Sequence, residues 1–232
     1  MEEFIEGVLP VYKTVQMSSF SVVSRIKKVL PNHTKVGHTG TLDRFAEGIL
    51  VLLIGRKYTR LSNTFMAHRK VYRAILEFGY ETDTLDPSGE PVAFSSHCPS
   101  LSAIEEAMQS FLGEIEQFPP CFSAKKFQGK RLSDWARAGQ FVLPRKARVY
   151  IHHIELIRYA FSFLEFRVEC SKGTYIRSLG RDLARKVFTR GNLVSLVREK
   201  NGPFSKENAL DLEDLNREGL RAIQLRLQKV DY

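Results

Sequence analysis

The stretch Val36-Gly-His-Thr-Gly-Thr-Leu-Asp-Arg-Phe-Ala-Glu-Gly-Ile-Leu50 runs straight into the apolar block Ile49–Ile54, and this junction constrains the fold more than any other feature of the chain. The block reads as a buried strand. Gly37 and Gly40 can take backbone angles closed to other residues. Asp43 is the only acid between Glu6 and Glu47. A buried strand running out of such a loop would hold that carboxylate on a rigid support, where catalytic groups often lie. On pattern alone the same loop also reads as an ordinary tight turn in which Asp43 bonds its own backbone.

The flanking segments supply the elements around it. Residues 4–12 read as a strand interrupted by Gly7 and Pro10. Ser18 or Ser19 can cap a helix over about 20–30, with Val23, Ile26 and Leu30 on one face and Pro31 as its stop. A short helix is expected over 56–66. From Lys70 to Phe78 the chain alternates, Tyr72, Ala74, Leu76 and Phe78 facing one way, as in a strand with one buried face. Thr82–Gly89 is dense in turn formers, so Asp83 and Asp86 read as solvated turn caps. Ser102–Glu105 fits a capping box, opening a helical stripe that ends at Gly113.

Residues 117–129 are irregular. Two prolines block a helix, and Phe118, Phe122 and Phe127 sit among Lys125, Lys126, Lys130 and Arg131. Such a mixture either stacks on single-stranded nucleic acid or is a surface loop pinned by its phenylalanines. Strands are expected over 147–158 and 161–171. A helix with the core stripe Ile176, Leu179, Leu183 and Val187 follows, and Gly191 ends it. Tyr175 and Arg177 fall off that stripe near the helix start, where free backbone N–H groups can hold phosphate. A solvated arginine is the alternative there, and Asp182 reads as a surface ion pair with Arg185 and Lys186. A last core strand is expected over 193–197 and a final helix from about 211.

The net charge of +9 points to a polyanionic partner, nucleic acid ahead of membrane. The longest apolar run is too short to span a bilayer, and the start, Met1-Glu2-Glu3, has no signal core. Cys98, Cys121 and Cys170 form no metal-ligand pattern and are odd in number, so free thiols in a reducing cytoplasm are expected. No Walker loop or dinucleotide fingerprint is present.

Gly37-His-Thr-Gly-Thr-Leu-Asp43, continued by Gly48 and Leu50, resembles the signature of the TruB family of tRNA pseudouridine synthases. Lys172-Gly-Thr-Tyr-Ile-Arg-Ser-Leu179 is similar to a second family segment, without departure. Fainter likenesses lie at Lys13, Ser18 and Ser19, at Lys70-Val71-Tyr72, at Pro119, Pro120, Ser123, Ala124 and Lys126, and at Leu196-Val197-Arg198. Three departures stand out: Arg44 where the family has proline, Phe122 where it has tyrosine, and a loop after Lys13 that lacks the family's proline and glycine.

The resemblance implies the α+β pseudouridine-synthase fold, a large mixed, mostly antiparallel sheet flanked by helices, with a thumb insertion at about 125–146. It implies one catalytic domain over 1–232, without the small C-terminal RNA-binding domain of many members. The implied reaction converts uridine to pseudouridine at position 55 in the T-loop of tRNA. It uses no metal, redox cofactor or nucleotide, and no obligate protein partner or membrane. By the same likeness Asp43 is the nucleophile, Arg177 its guanidinium partner, and Tyr72 the ring that stacks on the flipped uracil. Tyr175 and Leu196 line the pocket, His38 fills space in the RNA stack, and Lys126 contacts substrate. A non-catalytic RNA-binding module on the same fold is the main alternative. A guide-RNA-dependent relative is a third, disfavoured by the lack of a C-terminal domain and of long basic tails.

Overall fold

The computed structural model of the protein describes residues 5–140, 142 and 144–230. The chain forms two compact units, one made of the residues up to Val71 and from Val197 onward, the other of Tyr72–Leu196.

The first unit opens with β1 (Gly7–Lys13), α1 (Ser19–Val29), β2 (Val36–His38), β3 (Glu47–Ile54), α2 (Arg56–Arg60) and α3 (Ser62–Ala67). The apolar block makes β3 a strand buried at every residue after Glu47. Leu52, Leu53 and Ile54 each have partners on both β1 and β2, antiparallel in both cases, so this end of β3 is interior. Ser18 caps α1 by accepting the Ser21 N–H at 3.0 Å. Val22, Val23 and Ile26 then pack with Leu9, Val11, Leu50 and Leu52. The helix expected over 56–66 is two, meeting at Leu61, whose N–H bonds the Tyr58 carbonyl and closes the first.

The chain then runs through β4 (Lys70–Phe78), β5 (Tyr80–Thr82), β6 (Pro91–Phe94), α4 (Leu101–Gln109), β7 (Gly113–Gln117), β8 (Lys126–Phe127), β9 (Lys130–Arg131), α5 (Leu132–Arg137), β10 (Ala147–Ala160), β11 (Phe163–Cys170), α6 (Ile176–Lys186) and β12 (Gly191–Asn201). Burial along β4 alternates as the sequence predicts, with Tyr72, Ala74, Leu76 and Phe78 inside. The cap of α4 is Ser100, not Ser102: its hydroxyl accepts the Ala103 N–H at 3.3 Å, so the helix starts at Leu101. In the second unit the strands lie in the order β12, β4, β11, β10, β7. The segment 125–146 holds the β8–β9 hairpin and α5, and Phe141 and Leu143 lie outside the described residues, as do Met1–Phe4 and the last two residues.

Strand β12 ends in the first unit, where Arg198 sits opposite Gly48 in a parallel pairing with β3. The final helical stretch is α7 (Leu212–Glu218) and α8 (Leu220–Arg226), divided at Gly219, whose φ of +57° breaks the expected single helix. The β3–β12 pair is parallel, while β1–β3, β2–β3, β7–β10 and β10–β11 are antiparallel. This is the mixed, mostly antiparallel α+β architecture that the resemblance implies. Among the described residues no helix is long and apolar enough to cross a membrane.

Candidate active site

In the first unit the connection from β2 to β3 carries Asp43, which is half-buried. The backbone of this connection is held by five groups. The hydroxyl of buried Ser19 donates to the Leu42 carbonyl at 3.0 Å and accepts the Leu42 N–H at 2.8 Å. The Gln16 N–H reaches the Arg44 carbonyl at 2.7 Å, and the Thr39 N–H the Val51 carbonyl at 3.0 Å. Arg198, 1% exposed, donates to the carbonyls of Ile49 (2.6 Å), Gly40 (3.2 Å) and Thr41 (3.5 Å). Lys13, fully buried at the end of β1, donates to those of Ala46 (2.5 Å), Met17 (2.8 Å) and Thr14 (3.1 Å).

Two buried cations therefore donate to the loop's carbonyls, which are strong acceptors for charged donors. Gly48 makes this packing possible. Its φ is +112°, and a Cβ there would overlap the Arg198 backbone. Burial pushes the Lys13 ammonium down to a pKa of about 8; Asp43 and Glu47 pull it back up, and Arg198 pushes it further down. His38 ends β2, half-buried, with Nδ1 accepting the Gly40 N–H at 3.4 Å. Burial, and then Arg198, lower its pKa, so its ring is mainly neutral at pH 7.

In the second unit the start of α6 is tied to the irregular segment expected to be a loop. The Tyr175 N–H donates to Gln117 Oε1 at 2.8 Å, and the Ser178 hydroxyl to the Phe118 carbonyl at 2.8 Å. Arg177, 4% exposed, donates to the Thr84 carbonyl at 2.8 Å, the Phe122 carbonyl at 3.1 Å and Asp86 Oδ2 at 3.1 Å. The solvated reading of Asp86 is thus corrected. The turn folds inward, Asp86 is 5% exposed, and its Oδ1 also accepts from Thr84 and from the Ser88 N–H. Asp83 behaves as expected, accepting the Glu90 N–H. Asp182 pairs with Arg181, whereas Arg185 reaches Glu81.

Tyr72 is buried within β4 and Leu196 within β12. Tyr175 is half-buried at the N-cap of α6, and Lys126 is exposed on β8. None of Cys98, Cys121 and Cys170 is joined in a disulfide.

A family model described as the N-terminal domain of TruB family pseudouridylate synthases matches residues 27–176, a span that includes Asp43, Tyr72, Lys126 and Tyr175. The chain belongs to the TruB family. A Protochlamydia amoebophila relative named tRNA pseudouridine synthase B is 45% identical over 89% of this chain and 78% of its own. A Chlamydia pneumoniae relative of the same name is 42% identical, covering 90% of this chain and 88% of its own. Among solved structures, a chain of a Cbf5–Nop10–Gar1 complex superposes with a TM-score of 0.72 at 27% identity, over 96% of this chain and 60% of that one. TruB membership accounts for the two long motifs. The residues whose structural roles motif reading missed, Lys13, Arg198 and Asp86, are all buried charges. For the two cations the signal in the sequence was a charge next to strongly apolar neighbours, as in Val11-Tyr12-Lys13 and Leu196-Val197-Arg198.

Proposed function

We propose that the chain isomerises uridine to pseudouridine at position 55 of the tRNA T-loop, in the cytoplasm, with Asp43 as nucleophile. The observation that carries this reading is the Asp43 loop, whose carbonyls at Gly40, Thr41 and Ala46 are taken by two buried cations. An anion fixed in this way, half open to solvent, costs little to reorient during reaction. The names of the relatives supply the reaction. Asp43 attacks the reacting nucleotide, the glycosidic C–N bond breaks, the uracil turns, its C5 bonds to C1′, and the bond to Asp43 breaks to return the carboxylate. The C5 proton leaves and N1 gains one, so the product is an isomer of the substrate.

Tyr72 is proposed to stack on the extruded base and Arg177 to act as the catalytic guanidinium. Tyr175, Leu196, His38 and Lys126 are proposed to contact the T-stem-loop. Incubating the full chain with an unmodified tRNA transcript, and with one carrying cytidine at position 55, followed by digestion to nucleosides, tests the reading. One pseudouridine per transcript is expected from the first and none from the second. A transcript that is bound but yields no pseudouridine would contradict it in favour of an RNA-binding module.

A further inference from the structure

We propose that Phe20 and Arg44 form a nucleotide-binding lip beside Asp43, Phe20 offering its ring to an unstacked base of the substrate RNA and Arg44 its guanidinium to a phosphate. The proposal rests on Asp43 being the reacting carboxylate. Two cross-links on the first unit bring residues 16–20 alongside 42–44. The Gln16 N–H donates to the Arg44 carbonyl at 2.7 Å, and Ser19 is bonded twice to the Leu42 backbone. Gln16 holds a φ of +66°, a left-handed conformation that costs a non-glycine residue on the order of 1 kcal/mol and persists where surrounding contacts fix it.

Phe20 follows Ser19 by one residue in the first turn of α1. It lies outside that helix's buried set of Ser19, Val22, Val23 and Ile26, and is 76% exposed. A single exposed phenylalanine is ordinary; this one sits where the chain is cross-linked to the loop of the proposed nucleophile. Arg44 is exposed, and among the described residues its guanidinium makes no ion pair or hydrogen bond. It is adjacent to Asp43, about 3.8 Å away at Cα, so its long side chain can reach the phosphates flanking a nucleotide held at Asp43. A planar guanidinium matches phosphate in two-point fashion, and a ring beside a cation is the usual pairing for single-stranded nucleic acid. Proline, usual at this place in the family signature, offers neither charge nor donor.

The test measures equilibrium binding of the full chain to a fluorescently labelled T-stem-loop RNA across a salt series, with tritium release from uracil C5 followed in parallel. Arg44→Gln is expected to weaken binding roughly tenfold at low salt and to reduce the slope of log K against log salt by about one. Phe20→Ala is expected to weaken it roughly tenfold with the slope unchanged, and Phe20→Trp to restore it. Thermal melts check that each variant folds. Wild-type affinity and slope in either Arg44→Gln or Phe20→Ala would overturn the lip. So would a loss of self-association, rather than of RNA binding, in Phe20→Ala. If the variants bind normally while the wild type releases tritium, the lip fails and the synthase reading stands. If the variants lose binding and the wild type releases nothing, Phe20 and Arg44 bind RNA, but the synthase reading fails and with it the lip's place beside a reacting carboxylate.

Discussion

Arg198 in the first unit and Arg177 in the second are both almost wholly buried, and their surroundings answer the charge in different ways. Arg198 donates to backbone carbonyls of the loop and strand around Asp43, at Gly40, Thr41 and Ile49. Arg177 donates to the carbonyls of Thr84 and Phe122 and also to the Asp86 carboxylate, in a pair whose side chains are 5% and 7% exposed. Around Arg198 the guanidinium acts as a clamp on backbone shape, and the fit of the backbone is what mutation will expose. Around Arg177 an ion pair has been carried inside, and loss of the counter-charge is the vulnerable step.

Six substitutions probe that contrast. Asp86→Ala removes a carboxylate from a buried guanidinium and should cost roughly 3–5 kcal/mol of stability. Arg185→Ala, which removes the half-exposed partner of Glu81, should cost far less. Urea denaturation of the two variants checks the difference, and equal losses would mean that burial does not set the strength of the pair. Gly48→Ala forces a Cβ into the Arg198 backbone at a φ of +112°, and a loss of about 3 kcal/mol is expected in the same assay.

Arg198→Lys keeps the charge and gives up the planar fork, so about 2 kcal/mol should be lost along with the geometry of the Gly40 and Thr41 carbonyls. The effect is read as faster amide exchange over 39–46, and unchanged exchange would remove the clamp from the account. The smallest effect concerns Lys13. Its folded pKa is about 8 against an ordinary 10.5, so between those values the unfolded chain binds more protons. Stability must then rise with pH across that window and be lowest below it. Wild type measured against Lys13→Met should gain relative stability from pH 8 to 10, and a flat difference would contradict the buried ammonium. Because Asp43 raises this pKa, Asp43→Asn should start the window lower.

Much of the fold was legible where a local rule sufficed. The alternation in Lys70–Phe78 gave the buried face of β4, and Ser18 and Pro31 bracketed α1. The glycine loop and the Lys172–Leu179 segment carry four of the proposed site residues, His38, Asp43, Tyr175 and Arg177. What stayed hidden depends on partners far away in the chain. The Lys13 ammonium is satisfied at Ala46, and the Arg198 guanidinium at carbonyls some hundred and fifty residues earlier. No window of sequence shows such pairings. Asp86 misled for a related reason. A run of Thr, Asp, Pro, Ser and Gly looks the same whether the turn faces water or folds onto an arginine 91 residues further along the chain. The same limit explains α4, where two serines in one stretch could cap and only the backbone angles of Ser100 select it.

The most direct test of the central claim is tritium release from a T-stem-loop RNA labelled at uracil C5, with the wild type and Asp43→Asn compared at equal RNA occupancy. The substitution keeps the size of the side chain and removes the charge that the proposed nucleophile needs. The account predicts release by the wild type and background only from the variant, with RNA still bound. Release by Asp43→Asn at the wild-type rate would contradict it.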